Sequence, residues 1–365
     1  MANELKKIGI LIAIPLTIFV LYFLFSPSPI DPVAYEPPPA PELTDTYAPN
    51  NKLAQSELIA LGQVKGPEDV DADSEGRIVA GLENGDIVRI DKSGKKEVLV
   101  NTGGRPLGLE FDADGHLWIA DARNGLLKLS IAGYSSTETQ LEVMATEANG
   151  LPFGFTDDLD IDKAGNVYFS DASSRWPIEN YRWDAIEARP YGRLLKYDPV
   201  SDTVEVLLDN LYFANGVALS SDESFVLVNE TWRYRIVRYW LEGPMAGKHE
   251  IFVDNLPGFP DGISGNRRGI FWVALATPRN SQLDSIHPYP LLKKLIVKLP
   301  DFMQPQPIHY GFVIGLNEEG GVVSNLQDPS GQHIFEVTSV EESQGHLLLG
   351  TLTGDRIGRL SAPGK

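Results

Sequence analysis

The chain of 365 residues contains no cysteine. It therefore cannot form a disulfide bond, a thiolate nucleophile, a zinc–thiolate site or an iron–sulfur cluster, and the cysteine count leaves its redox compartment open. Basic residues are also scarce, because 31 Lys and Arg stand against 50 Asp and Glu, for a net charge of −19. A protein that wraps nucleic acid needs a basic face for the phosphates, so this balance argues against a nucleic-acid partner.

Hydrophobic residues make up 42% of the chain and charged residues 22%. These fractions exclude a disordered protein and a small scaffold that depends on covalent staples. The 34 Gly and 26 Pro are more than helical bundles use. They predict many turns and short strands.

One long apolar run lies at the N-terminus. Ile8–Phe25 contains 18 residues without a charge, which is long enough to cross a bilayer as a helix. Lys6 and Lys7 precede the run and the next basic residue is Lys52, so the positive-inside rule places everything after the run outside the cytoplasm, in a periplasmic or a lumenal or extracellular space. The sequence predicts a single-pass type II membrane protein with residues 1–25 as cytoplasmic tip and signal anchor. The alternative is a cleaved signal peptide, which normally has a shorter apolar region and a small-residue cleavage site instead of SPSPID.

The rest of the chain divides in two. Residues 26–50 are dense in proline and poor in large apolar residues, which predicts an extended spacer that holds the next domain off the membrane. Residues 51–365 carry alternating apolar and polar residues and are the predicted folded domain.

A strand-turn-strand pattern repeats through residues 51–365. Each copy has a polar or Gly-containing pair, alternating apolar residues, an Asp or Gly turn and a further strand. The six copies begin at Pro67, Pro106, Thr156, Ala214, Pro260 and Val337. They predict an all-β fold, a six-bladed β-propeller, because a β-sandwich would not repeat the opening pair and a β-helix would have shorter, more regular turns. Leu53–Ala60 is expected to supply the outer strand of the last blade, so that the ring has no open edge.

Two insertions interrupt the repeat, at residues 173–191 and 277–311. In the second, apolar residues at helical spacing predict a short amphipathic helix; they are Leu291, Leu292, Leu295, Ile296 and Leu299. We expect a lid packed across one end of the ring. A helix that lies on a membrane is the alternative, because three Lys flank the apolar face.

Oxygen donors recur at the blade openings, which converge on the channel of a propeller. They are Glu68, Asp157, Asn215 and Asp261. Three carboxylates and one amide gathered at an axis would repel one another and lose hydration unless a cation lay among them. Oxygen ligands without nitrogen or sulfur favour Ca²⁺, whose coordination is more flexible than that of Mg²⁺. The simpler interpretation is that each residue caps a strand end or a turn.

The stretch from Leu211 to Ile263 (LYFANGVALSSDESFVLVNETWRYRIVRYWLEGPMAGKHEIFVDNLPGFPDGI) resembles the strictosidine-synthase-like family. In pattern it is most similar to the adipocyte plasma-membrane-associated proteins, which share an N-terminal anchor. GRPLGLEF from Gly104 and FTDDLDID from Phe155 are also similar to blade openings of that family. The wider superfamily includes gluconolactonases and paraoxonases, which are six-bladed propellers with a channel Ca²⁺.

Carried over position by position, the resemblance implies that Glu68, Asn215 and Asp261 occupy calcium-ligand positions. Asp157 falls where many relatives have Asn, which adds negative charge at the metal. Asp158, the next residue, is implied to be a supporting residue beneath the metal.

Two departures bear on the reaction. Leu107 stands where paraoxonases carry a His, which speaks against a His-assisted lactonase mechanism. Thr338 stands where strictosidine synthase needs a Glu, with Glu336 two residues away, so true strictosidine synthesis is not expected. His287 and His309 of the second insertion are expected to be structural.

The predicted function is a membrane-anchored, Ca²⁺-dependent hydrolase of esters or lactones, of arylesterase or gluconolactonase type, that acts on a small molecule. The metal would polarise the carbonyl group, and Asp261 is the candidate base or nucleophile. Two alternatives stay open: a non-catalytic propeller in which calcium only holds the blades together, and a condensing enzyme that joins an amine and an aldehyde. Aromatic side chains near the openings line an apolar pocket or pack in the core; they are Phe153, Phe155, Trp176, Trp183, Tyr212 and Phe259.

Overall fold

Four-stranded antiparallel sheets form the body of the protein, in a computed structural model that describes residues 22–23, 25–131 and 139–364. Within these residues, six such sheets follow one another along the chain. The first strand of each sheet contacts the first strands of both neighbouring sheets, including those of the first and last sheets. The sheets therefore close into a ring around a channel, which confirms the predicted six-bladed β-propeller.

The strands have the following bounds, blade by blade. Blade 1 has Val70–Ala72, Ile78–Gly81, Asp86–Ile90 and Lys96–Asn101; blade 2 has Pro106–Phe111, Leu117–Asp121, Gly125–Ile131 and Thr139–Ala145; blade 3 has Thr156–Ile161, Val167–Asp171, Gly192–Asp198 and Thr203–Leu211. Blade 4 has Ala214–Leu219, Phe225–Glu230, Arg235–Trp240 and His249–Val253; blade 5 has Gly258–Gly265, Ile270–Pro278, Gly311–Asn317 and Val322–Asp328; blade 6 has Val337–Ser343, His346–Thr351, Ile357–Ser361 and Glu57–Ile59. A small hairpin, Glu147–Ala148 with Leu151–Pro152, precedes blade 3.

Blade 6 is completed by a strand from the other end of the chain. Glu57–Ile59 pairs antiparallel with Ile357–Ser361, and Leu58 lies opposite Gly358. This is the closing strand predicted within Leu53–Ala60. It covers the outer edge of the last sheet, which would otherwise expose unpaired backbone groups.

The apolar core lies between neighbouring blades. The second strands Leu117–Asp121 and Val167–Asp171 are buried at every position, as expected for strands covered on both faces. One cluster joins Trp118 of blade 2 to Phe169 and Leu195 of blade 3. The blades therefore stabilise one another by stacking side by side around the channel.

Glycines at the blade openings let the inner strands approach closely. A Cβ atom on Gly216 would lie 2.4 Å from the carbonyl oxygen of Asp261, and one on Gly262 would lie 2.5 Å from that of Thr338. Both distances are too short for a real Cβ contact. The polar–Gly pair that recurs in the sequence therefore has a packing reason as well as a chemical one.

Gly216→Ala should lower the free energy of unfolding by about 1–3 kcal/mol, because the added methyl group must push blades 4 and 5 apart. Gly364→Ala is the control, since a Cβ atom at Gly364 has no neighbour within 4 Å. Thermal denaturation of the two variants checks the prediction. Equal melting temperatures would contradict the close approach of the inner strands.

The two insertions lie at the same end of the ring, because each joins the second and third strands of its blade. The first contains the 3₁₀ turn Ile178–Asn180 and the helix Tyr181–Glu187, and the second contains the helices Ser281–Ile286 and Pro290–Ile296 and the 3₁₀ turn Asp301–Met303. Arg182 Nη2 donates a hydrogen bond to Pro305 O at 2.6 Å, which joins the insertions. Together they form a lid over this end of the ring. The remaining 3₁₀ turns are Asp45–Tyr47, Leu53–Gln55, Thr231–Arg233 and Gly243–Met245.

The helix Pro290–Ile296 occurs where it was predicted, but its orientation differs from the prediction. Leu291 is 79% exposed, whereas Lys293 is fully buried. Lys293 Nζ donates a hydrogen bond to Val33 O at 2.7 Å, and burial lowers the pKa of Lys293 to about 7. The proline-rich segment therefore covers the lysine and leaves the leucine outside.

Residues 26–50 are extended, as their proline content predicts, but they pack on the lid end of the propeller instead of standing away from it. Val33 N donates to Glu187 O at 3.1 Å and Tyr35 N to His287 O at 3.0 Å. The guanidinium of Arg233 lies 3.7 Å from the ring centre of Tyr35. Because an extended proline-rich chain leaves most of its backbone groups without internal partners, these groups are available to the lid and the blades.

The predicted membrane helix over Ile8–Phe25 lies outside the described residues except at its last positions. Across the part of the chain that the structure does describe, no helix combines the length and the apolar character needed to cross a membrane. From Phe25 onwards the described chain is continuous through the proline-rich segment into blade 1.

Candidate active site

The predicted site residues lie at irregular openings of the inner strands. The antiparallel register shifts within residues 156–159 of blade 3, 214–217 of blade 4 and 260–263 of blade 5. Such bulges take side chains out of the regular alternation and re-aim them. They carry the pairs that the sequence analysis selected, and they lie at the lid end of the channel.

One cavity brings the four predicted ligands together. It has a volume of about 1090 Å³, including its open mouth, and its lining includes Glu68, Asp157, Asn215 and Asp261. The first three are buried and Asp261 is partly buried. Asn215 Nδ2 donates a hydrogen bond to Asp261 Oδ1 at 2.6 Å, which links blades 4 and 5.

The three carboxyl groups disfavour one another's charge. Burial raises the pKa of Glu68 well above its usual range, and the charges of Asp261 and Asp157 raise it further. Burial raises the pKa of Asp157 well above its usual range, and the charge of Asp261 raises it further. Burial raises the pKa of Asp261 to about 7, although the hydrogen bond from Asn215 opposes this shift. Arg105, which lowers the pKa of both Glu68 and Asp157, compensates only part of this repulsion.

The donor chemistry of this cluster fits a hard cation, because all four side chains offer oxygen and each carboxylate would be relieved by positive charge. Their positions are not those of an assembled metal site. Among the described residues, no three His, Cys, Asp or Glu side chains are grouped as metal ligands. Calcium therefore remains a proposal here, and the four residues remain predicted ligands.

Asp158 is absent from the lining of this cavity and instead lines a second, more polar cavity in the channel. Its Oδ2 accepts a hydrogen bond from Val217 N at 2.9 Å and its Oδ1 accepts one from Leu159 N at 2.8 Å. The carboxylate thus ties the inner strand of blade 3 to that of blade 4. Its role as a supporting residue beneath a metal stays a prediction.

A buried ion pair holds the backbone just before Asp157. Asp171 Oδ1 accepts hydrogen bonds from Gly154 N at 3.0 Å and Phe155 N at 2.9 Å. Arg193 Nη2 donates to Asp171 Oδ2 at 2.6 Å, and both side chains are buried. Burial raises the pKa of Asp171 while Arg193 lowers it. The pair holds the segment that leads into the blade 3 opening.

The cavity walls are largely apolar. Of the aromatic residues proposed from the sequence, Phe155 and Phe259 line the cavity. The other four are absent from its lining: Trp176 packs edge-to-face on Trp183 with ring centres 5.4 Å apart, and Tyr212 lies against Arg233. Phe153 packs on Phe169.

Several wall residues carry no signal in the sequence. They come from turns and from the first insertion, where no repeat marks them, and they include Tyr181, Phe213 and Trp232. Leu107, the residue at the paraoxonase His position, also lines the cavity. It gives the blade 2 side of the cavity an apolar surface.

Glu336 is the unexpected acidic residue of the site. It is buried, lines the cavity, and has a φ of 48°. Thr353 Oγ1 donates to its Oε2, and His309 Nε2 lies 3.4 Å from its Oε1. Thr338 instead donates to Glu68 O at 2.7 Å. Glu336 immediately precedes Val337–Ser343, the first strand of blade 6, so it lies at the opening of that blade.

His287 lies away from the cavity, buried beneath the proline-rich segment. Its ring packs edge-to-face on Tyr35 with ring centres 5.3 Å apart. Burial, and then the charges of Lys293 and Arg233, lower its pKa. A neutral, buried imidazole is the structural role that was expected.

Comparison with known proteins identifies the family of the chain. The strictosidine synthase family model matches residues 157–244, and the strictosidine synthase-like N-terminal model matches residues 45–90. The adipocyte plasma membrane-associated protein of Rattus norvegicus is 37% identical over 360 residues, which cover 92% of this chain and 93% of the relative. Strictosidine synthase-like protein 3 of Arabidopsis thaliana is 34% identical over 345 residues, 86% of this chain and 87% of the relative. The chain belongs to the strictosidine synthase-like family.

Two solved structures share the fold of this strictosidine synthase-like protein. A gluconolactonase of Xanthomonas campestris has a TM-score of 0.61 at 17% identity, covering 93% of this chain and 99% of that one. Regucalcin of Agrobacterium tumefaciens, described as a calcium-binding protein, has a TM-score of 0.56 at 14% identity, covering 83% and 90%. At these identities the likeness establishes the propeller alone.

Proposed function

We propose that the protein is a membrane-anchored, calcium-dependent hydrolase of small esters or lactones. The observation that carries the proposal is the cluster of Glu68, Asp157, Asn215 and Asp261 at one cavity with largely apolar walls. A set of buried oxygen donors beside an apolar pocket suits a substrate with a polar carbonyl group and a hydrocarbon or aryl part. The relatives' names support anchoring at a membrane, as does the apolar run Ile8–Phe25, with the propeller on the extracytoplasmic side.

The four oxygen donors would hold Ca²⁺, which when bound supplies positive charge that polarises a carbonyl group. The chain's own residues would do the rest. Asp261 is the candidate base, because it is a partly buried carboxyl group that lines the cavity beside the other predicted calcium ligands. Asn215 orients this carboxyl group by donating to Oδ1, which leaves Oδ2 as the oxygen that takes a proton from water.

The apolar walls would bind and orient the substrate. Phe155, Phe213, Trp232 and Phe259 surround the cavity, and Phe213 packs on Trp232 with ring centres 4.6 Å apart. Rigid aromatic walls exclude water around the reacting group, which strengthens the electrostatic interactions there.

The purified full chain should hydrolyse phenyl acetate or a lactone in the presence of Ca²⁺ and lose this activity in EGTA, since the carboxyl cluster would no longer be neutralised. Initial rates and melting temperatures, measured with and without EGTA, check both effects. Turnover that persists unchanged in EGTA would contradict the metal-dependent reaction. A lower melting temperature in EGTA without any turnover would instead establish the non-catalytic propeller with a structural calcium.

A second candidate is a condensing enzyme that joins an amine and an aldehyde, and Glu336 favours it. A buried carboxylate in the cavity could move the proton that such a condensation transfers. Incubation with tryptamine and an aldehyde tests this function. The absence of a condensation product under conditions where esters are hydrolysed would remove it.

A further inference from the structure

Large apolar side chains are exposed on one part of the second insertion. We call this surface the lid face; it consists of Tyr289, Leu291, Leu292, Phe302, Met303 and Ile308. Leu291 and Phe302 are each 79% exposed. A short helix of a water-soluble domain normally turns such residues inward, whereas here Lys293 is the buried residue. Gln304 Nε2 donates to Leu299 O at 2.8 Å, which holds the turn with Phe302 next to the end of the helix.

The lid face lies beside the point where the N-terminal apolar run ends. Lys298 Nζ donates hydrogen bonds to Phe23 O at 3.0 Å and to Ser26 O at 2.6 Å. Tyr22 and Phe25, in that same stretch, are also exposed. The end of the run Ile8–Phe25 is therefore attached to the insertion that carries the lid face.

The charge of this region is opposite to that of the chain as a whole. Residues 285–300 contain three Lys between the acidic residues Asp284 and Asp301, a small excess of positive charge in a chain with a net charge of −19. Lys293 is buried and Lys298 donates to Phe23 O and Ser26 O, so Lys294 is the lysine available to a headgroup. The stem of such a lysine lies along apolar surface while its amine reaches the phosphates. Apolar patches of this kind mark interaction sites.

We propose that the lid face lies in the interfacial layer of the phospholipid bilayer that the N-terminal run enters. The apolar side chains would then lie at the acyl boundary and Lys294 at headgroup level. The loop with Phe302 and Ile308 also contributes Pro305, Gln306 and Pro307 to the cavity lining. A bilayer contact therefore places the mouth of the cavity at the membrane surface. This contact does not depend on hydrolysis.

The natural absence of cysteine makes the test direct. Leu291→Cys and Phe302→Cys each provide one site for a nitroxide label in the full chain, and Val200→Cys, at a 91% exposed position in the third blade, is the control. All three residues are exposed, so substitution should leave the melting temperature unchanged. The labelled chains are reconstituted in vesicles of phosphatidylcholine and phosphatidylglycerol, and collision of the label with oxygen and with a water-soluble nickel complex is measured.

Labels at 291 and 302 should collide with the nickel complex several-fold less often, and with oxygen more often, than the label at 200. Nickel collision rates equal to the control would overturn the proposal. Spin–spin broadening that disappears on dilution with unlabelled chain would also overturn it, by showing a second copy on the lid face. Resistance of the full chain to carbonate extraction reports the N-terminal anchor separately; labels that enter lipid without such resistance would refute the anchor and still support the lid face.

Discussion

Asp261→Asn should reduce ester or lactone hydrolysis by about 10²–10⁴-fold, the range expected when a general base is removed. The amide has nearly the shape of the carboxyl group but cannot take a proton from water. Initial rates at saturating Ca²⁺ measure the effect. Glu319→Gln is the matched control, since Glu319 is exposed on a turn of blade 5 and should keep full activity. Equal rates for Asp261→Asn and the parent protein would exclude Asp261 as the base.

The same substitution should stabilise the protein in EGTA, and the gain should depend on pH. The pKa of Asp261 is raised from 3.8 to about 7 in the folded protein, so the folded state binds a proton that the unfolded state has released between these values. Stability contributed by this group is present below pH 3.8 and is lost as the pH rises towards 7. The melting temperature of Asp261→Asn relative to the parent should therefore increase from pH 4 to pH 7. A constant difference across this range would contradict the raised pKa.

Arg193→Met should destabilise the protein by about 3–5 kcal/mol, because it leaves Asp171 as a buried charge without its partner. For a chain of this size that corresponds to a fall in melting temperature of about 4–7 °C. Lys65→Met is the control: its partner Glu83 lies 2.9 Å away, but both side chains are more than half exposed, and a surface pair contributes about 0–1 kcal/mol.

The double variant Arg193→Met with Asp171→Asn separates the ion pair from packing. Asn keeps one oxygen for the amides of Gly154 and Phe155 but removes the unpaired charge, so part of the lost stability should return. A double variant as unstable as the sum of the single variants would show that the two residues act independently.

The repeat and its openings could be predicted because they are encoded locally. Alternating residues fix the strands, and pairs such as Asn215-Gly216 mark places where a bulge and a close approach of inner strands coincide. The closing strand was predictable for a related reason: a ring needs a partner for its last sheet edge, and Leu53–Ala60 was the available apolar segment.

The lid and the proline-rich segment could not be predicted to the same depth. Lys293 is buried because it meets the carbonyl oxygen of Val33, 260 residues away in sequence, and no periodic pattern records such a contact. Glu336 lines the cavity from the turn before blade 6, which the repeat does not mark. The hydropathy pattern predicted the helix correctly but its orientation wrongly, because hydropathy ranks side chains and contains no information on backbone carbonyl groups, such as that of Val33, that pack against them.

The pairing of Glu57 with Arg359, 302 residues apart, imposes an order of events on biosynthesis. During synthesis the blades form an open arc until Ile357–Ser361 has left the ribosome. Until then the faces of the first and last blades that would pack on each other are exposed. A chain that ends before this strand cannot close the ring. It exposes unpaired backbone groups at a sheet edge, where other chains can pair with them. The ring can therefore close only when Ile357–Ser361 pairs with Glu57–Ile59, a strand made much earlier in synthesis.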